Sequence, residues 1–372
     1  MSHQGLVRIE RIPNCRKAPS MPTYRFDAII SQRCSRRHVF GWSGTGLAIG
    51  ALAASGVSLS AHAQSPTAGK GADFAGLVDI GGRSIYMESA GEGSPSVVLV
   101  AGALSRGDVW SRDLLEPEGA RTMVFPAVAA FTHVIEYDRP GTMGEVNTSL
   151  EPNGPLFYSS RSDPVPQPRS GGEMVAELHD LLQAAEVPGP YVLVGHSLGG
   201  LYARLYAMTY PDEVVGMVLV DATHEDGAAE FKKIMTSEQW DQFTDLLANN
   251  GGLLAAYPEA EQPWGAPLEE DHPTVQQVHA ATANSPLQPM PFYVLAHGIP
   301  ISEPFPGFPS EAAEAAMTAL QKDLATLVPD AKYAVATESG HNIHQDQPEL
   351  VIEAIRAVVD AVRNPATWTS AG

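Results

Sequence analysis

Residues Gly189–Gly200 read GPYVLVGHSLGG, and this segment is the strongest indication of the fold. Its first half, Tyr191–Val194, is a continuous apolar run, which is typical of a strand buried on both faces. Residues 195–199 then read G-x-S-x-G, and a helical pattern begins at Leu198. Because glycines flank the serine, the chain can turn tightly and hold Ser197 in a strained conformation above the sheet edge. G-x-S-x-G arises by chance in glycine-rich chains, but a strand before it and a helix after it favour a nucleophile.

Strand and helix patterns alternate on both sides of this stretch. A hairpin signature comes first, because Leu77–Ile80 and Ser84–Glu88 flank a Gly-Gly pair. Further strands are expected at Ser96–Ala101, Thr132–Tyr137, Val214–Val220, Phe292–Ala296 and Lys332–Ala336, and helices at Gly172–Glu186, Leu198–Tyr210, Ser310–Leu327 and Pro348–Val362. The proline-rich residues 141–171 are predicted to form a loop, and an acidic insert with helical stretches follows Ala222. This alternation predicts an α/β protein with a mostly parallel sheet covered by helices on both faces.

A serine hydroxyl needs a general base, and the late segment Glu338-Ser339-Gly340-His341 supplies a histidine. This segment follows the last predicted strand, so it can carry His341 over the sheet edge to Ser197. The nearby His344 is the alternative base, but we expect it to pack beside the start of the next helix. A metal site of His341, His344 and Asp346 is a weak alternative, because its ligand spacing is loose.

The carboxylate partner of the base is expected at Asp221, which ends a predicted strand and so points toward the same sheet edge. A buried carboxylate there would orient His341 and stabilise its protonated form. The structural alternative is that Asp221 caps the next turn. Glu303 is the other candidate acid, whereas Glu225 and Asp226 are weaker because they lie further into the insert.

Two backbone N–H groups must face the oxygen on which negative charge develops during attack by the serine. One is expected from Leu198, the residue after the nucleophile, at the N-terminus of a helix. The other is expected from Ala103, in the loop after the strand Ser96–Ala101, where Gly102 lets the backbone bend close. This chemistry requires no metal and no organic cofactor.

Residues 1–63 resemble an export signal. Ser35-Arg36-Arg37 precedes the glycine-rich, weakly apolar stretch Val39–Ala61, and the signal closes with an A-x-A sequence at Ala63. A basic region, an apolar core and an A-x-A end are typical of a secretory signal, and the paired arginines resemble the twin-arginine signal for folded cargo. The core is weakly apolar for a permanent membrane span. We therefore expect recognition by the export machinery, cleavage near Ala63, no stable membrane anchor and a periplasmic or secreted bacterial protein.

Charge and cysteine content exclude several functions. Of 372 residues, 23 are Lys or Arg and 43 are Asp or Glu, for a formal net charge of −20. Residues 1–63 hold eight of the basic and two of the acidic residues, which leaves 15 basic and 41 acidic residues, or −26, in 64–372. This balance argues against nucleic acid as a partner. Both cysteines, Cys15 and Cys34, lie in the signal, so the remainder has no disulfide framework, cysteine nucleophile or cysteine zinc site.

Five segments together resemble the α/β-hydrolase superfamily, in its serine esterase and lipase-like branch. They are VVLVAGA at 97–103, YDRPG at 137–141, GPYVLVGHSLGG at 189–200, VVGMVLVDATHED at 214–226 and SGHNIHQDQPELV at 339–351. The resemblance implies an eight-stranded, mostly parallel sheet, a Ser-His-acid triad and a lid inserted after the sixth strand. Carried over by position, Ser197 is the nucleophile, His341 the base and Asp221 the acid. The chain departs from the family at Ala101-Gly102, where the family has His-Gly, and this should alter loop packing more than chemistry.

The resemblance also bears on residues around the triad. The family's other usual place for the acid, after Phe292–Ala296, reads HGIPISE, with no Asp and only the distant Glu303, which favours Asp221. His196 is frequent at its position in the family and is expected to pack rather than to act as a second base. Asp138-Arg139 is expected to close a turn beside the site.

The sequence thus predicts an export signal at 1–63 and an α/β-hydrolase domain at 64–372, with a helical lid insert at about 222–290. Residues 1–20 precede a second methionine, Met21, which leaves open that they are an upstream extension. The expected function is that of an exported serine hydrolase cleaving carboxylic esters or lactones, with aromatics of the insert lining an apolar pocket. A cofactor-free perhydrolase or haloperoxidase would use the same triad. A non-catalytic ligand-binding homologue would keep the fold without turnover.

Overall fold

The computed structural model describes residues 73–117, 119–145, 157–249, 269–301 and 303–368. The predicted export signal, its cleavage site and both cysteines lie outside the described residues. Within these ranges, none of the helices combines the length and the apolar character needed to cross a membrane.

Eight strands form one mostly parallel sheet. In spatial order they are β1 (Phe74–Asp79), β2 (Ser84–Ala90), β4 (Val134–Tyr137), β3 (Ser96–Val100), β7 (Tyr191–His196), β8 (Val214–Val220), β9 (Phe292–His297) and β10 (Lys332–Ala336). β2 runs antiparallel to β1 and β4, and the remaining pairs are parallel. This topology confirms the predicted fold class. It also brings the carboxyl ends of β3, β7, β8, β9 and β10 to one edge of the sheet.

Helices cover both faces of the sheet, as predicted. They are α1 (Val124–Ala129), α2 (Gly171–Ala184), α3 (Leu198–Thr209), α4 (Gly227–Ile234), α5 (Ser237–Asn249), α6 (Pro273–Asn284), α7 (Ser310–Leu324), α8 (Ile343–Asp346) and α9 (Pro348–Arg363). In the sheet, Val98 and Leu193 pack into the core shared with α2 and α3, whereas Val97 and Val192 pack into the core shared with α1 and α9. Burial on both faces explains why these strands are continuous apolar runs rather than alternating ones.

The secondary structure predicted for two inserted segments agrees with the structure in one case and differs from it in the other. Residues 141–171, predicted as a loop, contain two short antiparallel strands, β5 (Met143–Glu145) and β6 (Phe157–Ser159). The loop prediction is wrong there, because three-residue strands are too short to show a periodicity among so many prolines. Between β8 and β9, the described parts of 222–290 form α4, α5 and α6, in agreement with the helical stretches in the sequence.

Candidate active site

Ser197 lies in the turn between β7 and α3. Its φ of 50° and ψ of −125° fall in a region that residues with side chains rarely adopt. A Cβ on Gly195 would lie 2.5 Å from the Cα of Gly200, and one on Gly199 would overlap the carbonyl oxygen of Val100. The turn therefore requires glycine on both sides of the serine, which is the physical reason for the sequence pattern.

The turn is also tied to the neighbouring strand. The N–H of Ser197 donates to the carbonyl oxygen of Val220 at 3.1 Å, and the carbonyl oxygen of Ser197 accepts from the N–H of Thr223 at 2.9 Å. Because β7 and β8 are parallel neighbours, these contacts hold Ser197 and Asp221 at the same edge of the sheet.

Asp221, directly after β8, is buried and contacts the predicted base. Its Oδ2 lies 2.6 Å from Nδ1 of His341, which comes from the loop between β10 and α8. Burial alone would raise the pKa of Asp221, but hydrogen bonds and charges from His297 and His341 outweigh it and lower the pKa to about 2. The carboxylate is therefore ionised at neutral pH. It accepts the Nδ1 proton of His341, which makes Nε2 the nitrogen that accepts a proton.

A second histidine, His297, contacts the same carboxylate. It is the last residue of β9, and its Nδ1 lies 2.7 Å from Oδ1 of Asp221. Its Nε2 lies 3.2 Å from Oε1 of Glu314 on α7. No role for His297 was predicted from the sequence, where the segment after β9 is a candidate only for the acid. The signal that points to it is a histidine at the carboxyl end of the strand next to β8.

The remaining candidate carboxylates contact groups other than His341. Glu303 accepts a hydrogen bond from the N–H of Gly307 at 2.5 Å, Glu225 forms a buried ion pair with Arg204, and Asp226 lies 3.0 Å from Nε2 of His279. Asp221 is thus the carboxylate that the structure brings to His341.

His344 and His196 are buried beside the site. The ring of His344 packs 4.8 Å from that of Trp110 and 4.3 Å from that of His196. Burial, reinforced by the nearby His341, lowers the pKa of His344 to about 3, so the ring is a neutral packing group. Burial also lowers the pKa of His196 well below its usual range. Its Nε2 donates to the carbonyl oxygen of His341 at 3.0 Å and so holds the backbone of the base in place.

The alternative of a metal site formed by His341, His344 and Asp346 has no support in the part of the chain that the structure describes. No group of three or more His, Cys, Asp or Glu residues there is arranged to hold a metal ion. Asp346, one of the three residues considered, instead accepts a hydrogen bond from the N–H of Gly340 at 3.0 Å. That contact shapes the loop which carries His341.

The two predicted oxyanion donors belong to segments that adjoin Ser197. Leu198 is the first residue of α3, so its N–H has no acceptor within the helix. The loop after β3 passes beside the serine, because a Cβ on Gly102 would lie 3.3 Å from the Cβ of Ser197 and 2.8 Å from Nδ1 of His196. Only a glycine allows this approach, which brings Ala103 next to the site.

Arg139 anchors this loop, a role beyond the turn closure expected for it. Its buried guanidinium donates to the carbonyl oxygens of Ala101 at 2.8 Å and Gly102 at 2.5 Å. The Gly102 carbonyl and the Ala103 N–H belong to one peptide group, so a cation on the oxygen polarises the N–H. The Asp138 carboxylate contacts other segments instead, since it accepts from Nε of Arg161 at 2.8 Å and from the backbone N–H of Gly107 at 3.0 Å.

A cavity of about 230 Å³ opens onto the site. Ser197, Asp221 and His341 line it, together with the polar residues Thr223, His224 and Gln321. The rest of its wall is mostly apolar and comes from α4, α5 and α7: Ala228, Phe231, Trp240, Phe243, Leu247, Met317 and Leu320. The insert after β8 therefore supplies much of the cavity wall, as its aromatic residues suggested.

A sheet of this strand order, with a serine in the strained turn after a central strand, defines an α/β-hydrolase fold. The model of the alpha/beta hydrolase family matches residues 97–354, more than half of the chain, and the chain therefore belongs to that family.

Two uncharacterized proteins are similar in sequence to parts of this chain, and one solved structure shares its fold. The chain is 31% identical over 187 residues to the uncharacterized protein YqjL of Bacillus subtilis (strain 168), covering 50% of this chain and 64% of that protein. It is 37% identical over 105 residues to the uncharacterized protein C23C11.06c of Schizosaccharomyces pombe, covering 28% of this chain and 16% of that protein. It thus spans less than two thirds of either curated relative. Alpha/beta hydrolase domain-containing protein 10 from mouse shares the fold, with a TM-score of 0.51, 14% identity, and coverage of 78% of this chain and 99% of that chain.

Proposed function

We propose that this protein is an exported serine hydrolase that cleaves carboxylic esters, including lactones, through an acyl-enzyme intermediate. One observation carries the proposal: Ser197 and His341 line one cavity, and Asp221 binds the Nδ1 side of His341. The strained turn supports it further, because strained backbone positions cluster at catalytic sites. A nucleophile, a base and an orienting acid on one cavity suit acyl transfer.

In the proposed mechanism, Oγ of Ser197 attacks the ester carbonyl carbon while Nε2 of His341 takes the serine proton. The carbonyl oxygen becomes an oxyanion that accepts hydrogen bonds from the N–H groups of Leu198 and Ala103. The C–O bond then breaks, and His341 gives its proton to the departing alcohol. Water attacks the acyl-enzyme with His341 again as base, and the carboxylic acid and free Ser197 are released. Asp221 stays ionised throughout and stabilises the imidazolium.

The cavity supports an apolar acyl or aryl group as the part of the substrate that is recognised. Its 230 Å³ exceeds the roughly 150 Å³ of a protein cavity that binds benzene, so it suits one aromatic ring or a medium-length acyl chain. The net charge of −26 in residues 64–372 disfavours strongly anionic substrates by repulsion and so favours neutral or cationic esters.

The proposal includes export and a lid. Export rests on the basic, apolar and A-x-A regions of 1–63, with cleavage near Ala63 and delivery to the periplasm or exterior. The lid would be the insert at about 222–290. Its helices α4 and α5 line the cavity through Phe231, Trp240 and Phe243, so their displacement would open the site to solvent.

The proposal is tested with the full-length chain, a fluorophosphonate probe and a panel of p-nitrophenyl esters. We expect one phosphonate adduct, mapped by mass spectrometry to Ser197, and hydrolysis of the esters. Peracid formation faster than acid release in added hydrogen peroxide would favour the perhydrolase alternative. A folded protein that neither reacts with the probe nor turns over any ester would be the ligand-binding homologue, and the proposal would be wrong.

Filling the cavity should change the preferred acyl length. Ala228 on α4 lines the cavity, so Ala228→Phe is expected to lower kcat/KM for an octanoate ester by about tenfold or more while sparing the acetate. The measurement is kcat/KM across acyl lengths. Ala229→Phe, on the same helix but not among the lining residues, is the matched control and should leave the preference unchanged. An equal loss for both esters in the Ala228 variant would contradict a role for this cavity in acyl binding.

Removing the Arg139 guanidinium, which binds the loop after β3, should lower both the free energy of unfolding and the rate of ester hydrolysis. Arg139→Met leaves the carbonyl oxygens of Ala101 and Gly102 without this donor, so the free energy of unfolding should fall by about 2 kcal/mol. We expect kcat to fall by about tenfold or more, because the Ala103 N–H is no longer polarised. Denaturant unfolding and ester kinetics measure the two effects. Arg356→Met, at an exposed arginine on α9, is the control, and an unchanged kcat in folded Arg139→Met would refute the assigned role.

A further inference from the structure

Asp221 binds two histidines, one on each carboxylate oxygen. Oδ2 faces Nδ1 of His341 at 2.6 Å, and Oδ1 faces Nδ1 of His297 at 2.7 Å. The backbone N–H of His297 also donates to Oδ1 at 3.2 Å. The carboxylate is thus clamped from the side opposite the base, and the mechanism proposed above makes no use of that second histidine.

His297 is itself held between two carboxylates. Its Nδ1 contacts Asp221, and its Nε2 lies 3.2 Å from Oε1 and 3.3 Å from Oε2 of Glu314. An ionised carboxylate only accepts hydrogen bonds, so both ring nitrogens must carry a proton, and the ring is an imidazolium. Burial opposes this charge, but Asp221 and Glu314 outweigh burial and raise the pKa of His297 to about 9.

We propose that His297 is a positioning residue of this site. Its imidazolium bridges Asp221 and Glu314 and fixes the Asp221 carboxylate toward His341. It thereby also influences the pH below which His341 is protonated and can no longer accept the proton of Ser197. This inference rests on the proposed function. The geometry that carries it is the chain Glu314–His297–Asp221–His341, which joins α7, β9, the end of β8 and the loop after β10.

The charges of Asp221, His297 and Glu314 determine whether each substitution raises or lowers the pH at which His341 titrates. Asp221 favours protonated His341, the His297 cation opposes it, and the more distant Glu314 favours it. From β10, Tyr333 lies close enough for Asp221 and Glu314 to add to the effect of burial in raising its pKa, so it is neutral at neutral pH. The buried His196, whose ring lies 4.7 Å from that of His341, and the buried His344 also face the base, and burial lowers the pKa of both, so neither adds a charge at neutral pH. Removing the His297 charge should therefore make His341 harder to deprotonate, and removing the Glu314 charge should make it easier.

Two variants of the full-length chain separate this charge effect from a structural one. His297→Asn keeps a neutral N–H donor toward Asp221, and Glu314→Gln keeps an oxygen toward His297 but removes the negative charge. Heteronuclear NMR of the histidine ring nitrogens follows the titration of His341 and His297 without any substrate. The pH profile of kcat/KM for a neutral ester follows the same groups during turnover.

We expect His297 to carry both ring protons at neutral pH. The titration midpoint of His341 should rise by about one pH unit in His297→Asn and fall in Glu314→Gln. The acidic limb of kcat/KM should move in the same directions, with about a tenfold loss at a fixed acidic pH in His297→Asn. A neutral His297 at neutral pH, or an unmoved His341 midpoint in both folded variants, would overturn the inference. Shifted midpoints without ester turnover would instead refute the proposed function alone.

Discussion

Ser197→Ala is expected to lower kcat for ester hydrolysis by about a millionfold and to abolish labelling by the fluorophosphonate. Without Oγ there is no acyl-enzyme, and the oxyanion donors and the cavity can only bind the substrate. Because the substitution removes a single oxygen atom from a turn already fixed by its glycines and by hydrogen bonds to β8, the fold should be retained. Steady-state kinetics, probe labelling and thermal unfolding of the full-length variant measure these outcomes.

Two companion variants show whether this loss is specific to an activated serine. His341→Gln keeps Ser197 but removes its base, and it should lose labelling and turnover to a similar extent. Ser237→Ala removes an exposed serine at the start of α5, another helix N-terminus, and should behave as wild type. If the fluorophosphonate still labelled Ser197→Ala to the same extent as wild type, the reactive nucleophile would be a residue other than Ser197.

Asp221→Asn should lower kcat by about ten-thousandfold while leaving KM for a neutral ester nearly unchanged. An amide at this position can donate to Nδ1 of His341, which would place the ring proton on Nε2 and prevent it from accepting the serine proton. The effect should exceed that of any other carboxylate substitution, because Asp221 is the acid 2.6 Å from the base. The measurement is kcat and KM on p-nitrophenyl esters across pH.

Glu303→Gln is the matched control for this prediction. Glu303 is the other acid that the sequence left open, and it instead accepts a hydrogen bond from the N–H of Gly307. Its variant should retain wild-type kcat. If Glu303→Gln lost activity and Asp221→Asn did not, the catalytic acid would be Glu303 and not Asp221.

The serine turn could be predicted from sequence because its causes are local. The backbone strain at Ser197 demands small neighbours, and Gly195 and Gly199 satisfy that demand within two residues in either direction. The buried strands before and after the turn are apolar on both faces, so the fold class also follows from short segments.

The positions of Asp221 and His341 could be predicted for a reason that is only partly local. Each follows a strand, and parallel strands in one sheet bring their carboxyl ends to a common edge. The sequence therefore limits the candidates for the catalytic acid and base to residues that directly follow a strand. Choosing between Asp221 and Glu303 needs the distances, which the fold alone provides.

The α/β fold, the strained serine turn and a short set of candidate acids and bases at one sheet edge could all be predicted from the order of residues. The packed structure adds that His297 joins Asp221 to Glu314, that Arg139 anchors the Gly102 carbonyl, and that residues of α4, α5 and α7 line the cavity. These contacts join residues far apart in the chain, and each depends on side-chain directions that no periodicity encodes. A strained turn can be predicted from the residues next to it, because its causes are local. Pairs of charged side chains that are distant in sequence form only when the sheet and its helices pack together.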